Sequence, residues 1–153
     1  MSDLIVQRQI NAMTTFEVNK VRALEEELLK EPQVKIPTYH HLHAGMYART
    51  IVVPAGVILT GSLMKIPTLL IINGHFLLFA GDKSFELKGY NVFTGGAHRK
   101  QAGVAVTDTQ VTMIFATKAT TVEEAEEEFT DETHLLWSRL DDAINHITIT
   151  GEC

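Results

Sequence analysis

Residues 37–61 read PTYHHLHAGMYARTIVVPAGVILTG, and this stretch carries the clearest fold signal in the sequence. Thr, Ile and Val dominate residues 50–53 and 57–61, and Pro54-Ala55-Gly56 separates the two runs. β-Branched residues fit a pleated, half-buried strand, whereas Pro and Gly mark turns. The stretch therefore predicts two strands joined by a tight turn.

The same pattern continues over residues 34–117, where glycine-containing breaks recur every several residues, as in an all-β sandwich or barrel. Asn73-Gly74 is the strongest short hairpin signal and predicts that the runs on either side pair with each other. Gly81-Asp82 predicts a further turn. The remaining expected strands are residues 69–72, 75–80, 84–88, 91–94, 102–106 and 111–117.

The two strands that flank Asn73-Gly74 are apolar at successive positions rather than at alternate ones. Strands of this kind are usually covered on both faces. One face would look into the core, and the other would need a helix or a second subunit. The pattern therefore favours a homodimer or a larger ring.

A helix is predicted on each side of the strand region. Thr14 and Glu17, like Thr121 and Glu124, have the spacing of a capping box. The first helix should end at Pro32. Apolar residues then recur at helical spacing, at Val18, Val21, Leu24 and Leu28 and again at Leu136, Leu140, Ala143, Ile144 and Ile147. Residues 147–150 could instead add an edge strand to this chain or to a neighbour.

Length and charge limit the function classes. The 153 residues suit one domain, with a helical arm at 1–33, a β-barrel at 34–117 and a helical segment with a tail at 118–153. A net charge of -6 argues against broad nucleic-acid binding and against docking on an anionic membrane. With one cysteine no intrachain disulfide can form, and residues 1–13 lack a signal-peptide pattern. We expect a cytoplasmic protein.

The stretch quoted above resembles a family of small single-domain cupins encoded in bacteriophages and prophages. The resemblance extends over residues 34–128. It implies a mainly β fold, a single cupin-type antiparallel β-barrel (a double-stranded β-helix or jelly roll) with flanking N- and C-terminal α-helices. It also implies a host-cytoplasmic protein or one incorporated into a virion. The matching residues are Gly45, Tyr47, Ala48, Arg49, Pro54, Ala55 and Gly56.

The sequence departs from that family where metal ligands are usual. In the family, a His-Lys-x-Glu-His-like segment follows the Pro-Ala-Gly turn, whereas here residues 64–68 read MKIPT, and Phe115 replaces a later histidine. A first-row metal needs several convergent imidazole or carboxylate ligands. We therefore expect no metal cofactor. The alternative is a relocated site for a divalent transition metal at His41, His43 and His98, with His40 on the opposite face of the strand.

An anion site is the second candidate. Tyr47 and Arg49 share one strand face, where Arg49 offers a planar donor fork, and His98 and Arg99 follow Gly95-Gly96. Ligand-binding residues would then be Tyr47, Arg49, His98 and Arg99. The plainer interpretations are a structural ion pair of Arg49, for instance with Asp108, and a mobile loop at residues 95–100 with solvated charges.

These observations predict a non-catalytic cupin that self-assembles and acts as a structural (virion-associated) or binding module. Its partners would be further copies of itself, other phage structural proteins or a small anionic ligand, but neither nucleic acid nor a membrane. The alternatives are a protein that binds a nucleotide-like or sugar-like anion, and a metal-dependent cupin enzyme that uses His41, His43 and His98. Fold alone does not choose among these functions.

Overall fold

Residues 8–151 are described by a computed structural model. Within them the chain is mainly β. The strands are β1 (Gln9–Ile10), β2 (Thr38–His43), β3 (Met46–Val53), β4 (Ile58–Thr60), β5 (Thr68–Asn73), β6 (Phe76–Ala80), β7 (Lys83–Leu87), β8 (Tyr90–Gly95), β9 (Ala102–Ala105), β10 (Thr109–Ala116) and β11 (Asn145–Ile149). The helices are α1 (Thr15–Leu28), α2 (Val122–Phe129) and the short α3 (Trp137–Leu140).

The strands form two sheets. The seven-stranded sheet has the order β1-β8-β5-β10-β3-β2-β11, and the four-stranded sheet has the order β4-β9-β6-β7. Between β3 and β10 the chain passes repeatedly from one sheet to the other, which is the connectivity of a jelly roll. The predicted mainly β, antiparallel fold is therefore confirmed. The predicted cupin-type β-barrel is confirmed only loosely, because the two sheets are hydrogen-bonded within themselves, each retains its edges, and they do not close into one barrel.

The hairpin predicted at Asn73-Gly74 is wrong. β5 pairs with β8 and β10 in the larger sheet, whereas β6 pairs with β7 and β9 in the smaller one. Gly74 has a φ of +147°, donates its N–H to the carbonyl oxygen of Gly89 at 3.0 Å, and lies against Thr109. Asn73 and Gly74 thus carry the chain from the larger sheet into the smaller one. In this arrangement the apolar inward faces of β5 and β6 bury each other across the core.

The predicted turn at Gly81-Asp82 is confirmed. It joins β6 to β7, with Ala80 opposite Lys83. The other predicted strands are present with shifts at their ends; β3 begins four residues before the predicted strand, and β1 and β2 lie outside the predicted ranges.

Both capping boxes are confirmed, at Thr14 with Glu17 and at Thr121 with Glu124. The helix predicted from the apolar spacing of residues 136–147 is wrong. Residues 133–144 form two 3₁₀ turns around the single helical turn of α3, and the chain then extends as β11. β11 runs parallel to β2, so the expectation of an edge strand is met within this chain. A helix would satisfy the backbone equally well, so the side-chain contacts with β2 distinguish the two: Asn145 bonds to His40, and His146 stacks on Tyr39.

Three clusters of apolar side chains hold these elements together. The main cluster lies between the sheets, the second joins the larger sheet to α2, and the third joins α1 to β9. α1 lies against β4, so residues 15–28 cover part of the smaller sheet. Among residues 8–151, none of the helices has the length and apolar character that crossing a bilayer requires.

Candidate ligand-binding cavity

A cavity of about 650 Å³ opens between the two sheets. Its walls are the inward-facing side chains of the strands, and the end of α1 and the segment after α2 border it. Alternate residues of a strand point to opposite faces, so a run such as residues 68–73 contributes every second side chain. The wall is mostly apolar and includes Ile51, Leu59, Leu70, Ile72, Phe76, Leu78, Val111 and Met113.

Arg49 contributes one polar edge of the cavity, and its charge is matched within the protein. Its Nη1 donates to Glu126 Oε2 at 2.9 Å, and its Nη2 donates to Ser138 Oγ at 3.1 Å. Glu126 is itself almost fully buried and also accepts from Arg139 Nε at 2.9 Å. Burial would raise the pKa of Glu126, but hydrogen bonds from Ser138 and Arg139 and the charge of Arg49 outweigh it, so the pKa lies below its usual value.

His40 and Tyr47 extend this network beneath the cavity wall. Asn145 donates through Nδ2 to the carbonyl oxygen of Ser138, so its Oδ1 faces His40. This oxygen accepts a hydrogen bond from His40 Nε2–H at 2.7 Å. His40 Nδ1 must then accept from the Tyr47 hydroxyl at 2.7 Å. Burial lowers the pKa of His40 and raises the pKa of Tyr47, so both side chains are neutral near pH 7.

Arg99 forms the other polar edge and is 1% exposed. Its Nε donates to Gln101 Oε1 at 2.8 Å and its Nη2 to Thr68 Oγ1 at 2.6 Å. Its Nη1 donates to the carbonyl oxygens of Gly96 at 2.5 Å and Ile66 at 3.5 Å. All four acceptors are neutral. Burial therefore lowers the pKa of Arg99 to about 10.

Lys100 points the other way, towards α1, and is fully buried. Its Nζ lies 3.0 Å from Glu25 Oε2 and 3.0 Å from Glu132 Oε1. Glu132 also accepts from Arg22 and from the backbone N–H of Leu63. The predicted loop of solvated charges at residues 95–100 is therefore wrong for Arg99 and Lys100, because hydrogen-bonding partners from neighbouring elements enclose both side chains.

The structure separates the four residues predicted to bind an anion. Arg49 and Arg99 both line the cavity. Tyr47 is fully buried behind its wall, and His98 is exposed, with a φ of +58°, in the loop after β8. The suggested ion pair of Arg49 with Asp108 is also wrong. Asp108 instead accepts from the backbone N–H of Ala55 at 2.8 Å.

The alternative metal ligands do not converge. His41 and His43 share the outer face of β2, as predicted, but His98 follows β8, four strand spacings away, which is about 19 Å. His43 Nδ1 instead lies 2.9 Å from Thr150 Oγ1. No group of three His, Cys, Asp or Glu side chains within residues 8–151 is arranged to hold a metal ion.

The positions where the resembling family carries metal ligands do not suit a metal either. Met64 lies in the cavity wall, Thr68 accepts from Arg99, and Phe115 packs edge-on against Tyr47. A single thioether, a hydroxyl and a phenyl ring are not a ligand set for a first-row divalent ion. The residues present therefore do not fit the group that the family implies.

Sequence reasoning missed Gln101, Glu126 and Ser138, which complete the polar edges of the cavity. Glu126 lies in a run of five glutamates over residues 123–128, where the expected environment was a solvated helix face. The hydrophobic side of α2 also includes Val122, Ala125 and Phe129, and Glu126 is adjacent to it. The position of Glu126 beside this apolar side was the one feature of the sequence that indicated its burial.

No protein-family model matches the sequence, and no curated protein is significantly similar to it. Several solved structures share part of the fold. KdgF from Halomonas sp. has a TM-score of 0.48 and 15% identity, over 58% of this chain and 86% of that one. The Schizosaccharomyces pombe Cnp3 cupin domain has a TM-score of 0.46 and 15% identity, over 69% of this chain and 76% of that one.

A salicylate 1,2-dioxygenase from Pseudaminobacter salicylatoxidans has a TM-score of 0.49 and 13% identity over 76% of this chain. This chain spans 35% of the dioxygenase. The neighbours are cupin-fold proteins. Similarities this low bear on neither the ligand nor the activity of this chain.

Proposed function

We propose that this chain is a cupin-type binding protein that holds a small, largely apolar molecule between its sheets without converting it. The cavity carries the proposal. Its volume of about 650 Å³ lies within the range of small-molecule sites, which are typically apolar with a few placed polar groups. Burying apolar ligand surface against such walls is favourable, at about 25 cal/mol per Å².

The polar groups at the cavity favour binding over catalysis. Arg49 and Ser138 are both bonded to the carboxylate of Glu126. His40 is enclosed between Tyr47 and Asn145 behind the wall. A general base must come within hydrogen-bond reach of the proton that it removes, and these groups are directed at one another.

The proposal predicts that filling the cavity abolishes binding. Val111 lies on the inner face of β10 and lines the cavity, whereas Thr112 is on the outer face and is bonded to Thr50. Titration calorimetry with 1-octanol should detect binding to the unmodified protein. We expect Val111→Trp to remove that binding, because the indole would occupy the space of the ligand.

Thr112→Trp is the matched control, since it adds the same side chain one residue away on the opposite face. It should bind 1-octanol like the parent protein. If the parent binds neither an octyl nor a naphthyl probe, or if Val111→Trp binds 1-octanol as well as Thr112→Trp does, the cavity is not a binding site.

A second candidate function is self-assembly, which the outer face of the larger sheet favours. On strands β8, β5, β10, β3 and β2 the outward side chains include no Asp, Glu, Lys or Arg. They are Tyr90, Val92, Thr94, Leu69, Ile71, Asn73, Gln110, Thr112, Ile114, Ala116, Met46, Ala48, Thr50, Val52, Tyr39, His41 and His43. We propose that a second copy of this chain covers this face.

The absence of charge on this face suits a second copy as the occupant. The chain carries a net charge of -6, so two copies repel each other over long range, and contact through an uncharged face brings no further like charges together. Several side chains of the face are both apolar and exposed, Leu69 at 45% and Val92 at 43% among them. Apolar side chains exposed side by side mark interaction surfaces. The phage origin and the virion role stay predictions that rest on the resemblance at residues 37–61.

A further inference from the structure

Three basic side chains reach the interior of the molecule, and Arg99 differs from the other two. Arg49 is paired with Glu126, and Lys100 with Glu25 and Glu132. Arg99 has no carboxylate partner within residues 8–151, and neutral oxygens accept all of its hydrogen bonds. Buried charges in proteins are normally paired.

The position of the Arg99 guanidinium is fixed on one side by the backbone of β8. A Cβ atom added to Gly95 would lie 2.5 Å from Arg99 Cζ, so the guanidinium packs directly on that glycine. Thr68 and the carbonyl oxygen of Gly96 hold it from two further directions. Gln101 and the carbonyl oxygen of Ile66 also accept from it, and Arg99 is one of the residues that line the cavity.

Donors remain available at this point. The four hydrogen bonds of Arg99 leave one of its five N–H groups, on Nη2, without a partner among the described residues. Gln101 uses its Oε1 as an acceptor for Arg99, which directs its amide Nε2 away from the guanidinium. Gln101 is half-buried and also lines the cavity. A charged donor and a neutral donor therefore lie side by side.

We propose that Arg99 and Gln101 bind the carboxylate of a ligand whose apolar body fills the cavity, a ligand class that rests on the function proposed above. Arg99 carries one positive charge with no carboxylate partner among the described residues, so it can pair with one negatively charged ligand group. Its planar guanidinium suits a planar carboxylate. The walls formed by Leu70, Ile72 and Val111 suit an unbranched or aromatic hydrocarbon body. The ligand would supply the missing counter-charge of Arg99.

The test compares octanoate with 1-octanol, which have the same chain but differ in head-group charge. A second pair, 2-naphthoate and 2-naphthol, tests a flat aromatic body. In at least one pair the carboxylate should bind to the protein about ten- to a hundredfold more tightly, the usual strength of a charge-assisted hydrogen bond in a dry site.

Gln101→Glu is the decisive variant. The new carboxylate would lie where Gln101 Oε1 now accepts from Arg99 Nε at 2.8 Å, so it would neutralise Arg99 from within and repel an anionic ligand. Octanoate binding should fall about tenfold or more, and 1-octanol binding should fall by much less, so that the preference for the carboxylate is lost. Ser84→Glu adds the same charge at an exposed position of β7 in the smaller sheet, outside the cavity wall, and as the control it should change neither affinity.

Arg99→Gln should have the same selective effect, provided that its circular dichroism spectrum and unfolding midpoint show a folded protein. Equal binding of carboxylate and alcohol, or octanoate binding that Gln101→Glu does not weaken, would overturn the carboxylate site and leave the cavity function standing. Absence of binding by both members of both pairs would overturn the site and the proposed function together.

Discussion

His40 on β2 contacts side chains of β3 and β11, and the hydrogen bonds of its two ring nitrogens determine which protonation state the fold accepts. Nδ1 accepts from Tyr47 on β3, and Nε2 donates to Asn145 on β11. A proton on Nδ1 would meet the donor hydrogen of Tyr47 and the positive charge of Arg49. The fold therefore stabilises the neutral ring, and the lowered pKa of His40 follows chiefly from its burial.

We predict that stability falls as the pH drops below about 6.5, the ordinary pKa of histidine. Below that pH the unfolded chain binds a proton at His40 that the folded chain refuses, so acid favours unfolding. The free energy of unfolding should decrease by up to about 1.4 kcal/mol per pH unit from this residue alone. Urea denaturation at pH 7, 6 and 5 measures the slope.

His40→Gln should flatten this pH dependence, even though the variant is less stable at every pH. His41→Gln provides the control, because His41 is the exposed neighbour on the same strand. The groups around His40 are Tyr47, Arg49, Asn145, Glu123 and Glu126. The carboxylate of Glu126 has a lowered pKa, so its stabilising effect is lost only at lower pH, as the pH falls through that pKa. Equal slopes in the parent and in His40→Gln would contradict the prediction.

At the scale of elements, the connection between β5 and β6 determines that the chain forms two facing sheets. A hairpin at Asn73-Gly74 would have placed both runs in one sheet, with their inward side chains adjacent. Instead Leu70 and Ile72 face Phe76 and Leu78 across the core. The Asn-Gly turn is compatible with a hairpin and with a connection between sheets. The connection between sheets is favoured because it buries the apolar faces of β5 and β6 against each other.

Gly74→Ala tests this corner. A Cβ there would lie 2.5 Å from Thr109 Oγ1 and 2.9 Å from the carbonyl oxygen of Asp108, in addition to the backbone strain at a φ of +147°. We expect a loss of about 2–4 kcal/mol in the free energy of unfolding, measured by urea denaturation.

Gly56→Ala is the matched control, with a φ of +86° and no atom within 4 Å of the added Cβ. It should cost about 1–2 kcal/mol, the strain of the left-handed conformation alone. Equal losses in the two variants would show that close packing at Gly74 contributes nothing.

At the scale of the whole molecule, exposed charges and the uncharged face are segregated. Exposed charged side chains lie on α1, β7 and α2, namely Glu26, Glu27, Lys83, Glu86, Glu123 and Glu124. The outer face of the larger sheet carries no such groups. This arrangement gives the molecule one surface on which a second copy can approach.

We predict that Ile71→Lys disrupts assembly. Ile71 lies near the middle of the uncharged face, between Val92 and Thr112 on the adjacent strands. Burying an unpaired lysine between two copies costs several kcal/mol, so the assembly should dissociate to monomers in sedimentation velocity experiments at micromolar concentration.

Phe79→Lys introduces the same charge on the smaller sheet, where Phe79 is 41% exposed. It should leave the sedimentation coefficient of the parent unchanged. A monomeric parent protein, or dissociation by Phe79→Lys but not by Ile71→Lys, would refute the proposed assembly face.

The sequence by itself determined the mainly β fold, the strand positions, both capping boxes and the turn at Gly81-Asp82. These features depend on residues a few positions apart, so local spacing is enough to specify them. It also nominated Arg49, which shares a strand face with Tyr47, and Arg99, which follows Gly95-Gly96, and both line the cavity.

Only the tertiary structure decided the partners of those residues. Arg49 meets Glu126, 77 residues away, and Arg99 meets Thr68, 31 residues away. It also converted a helical apolar pattern at residues 136–147 into turns and β11, since Asn145 and His146 make side-chain contacts with β2 that no local pattern reveals. The charge state, burial and accessibility of a side chain depend on such distant contacts, and they determine what the cavity can bind.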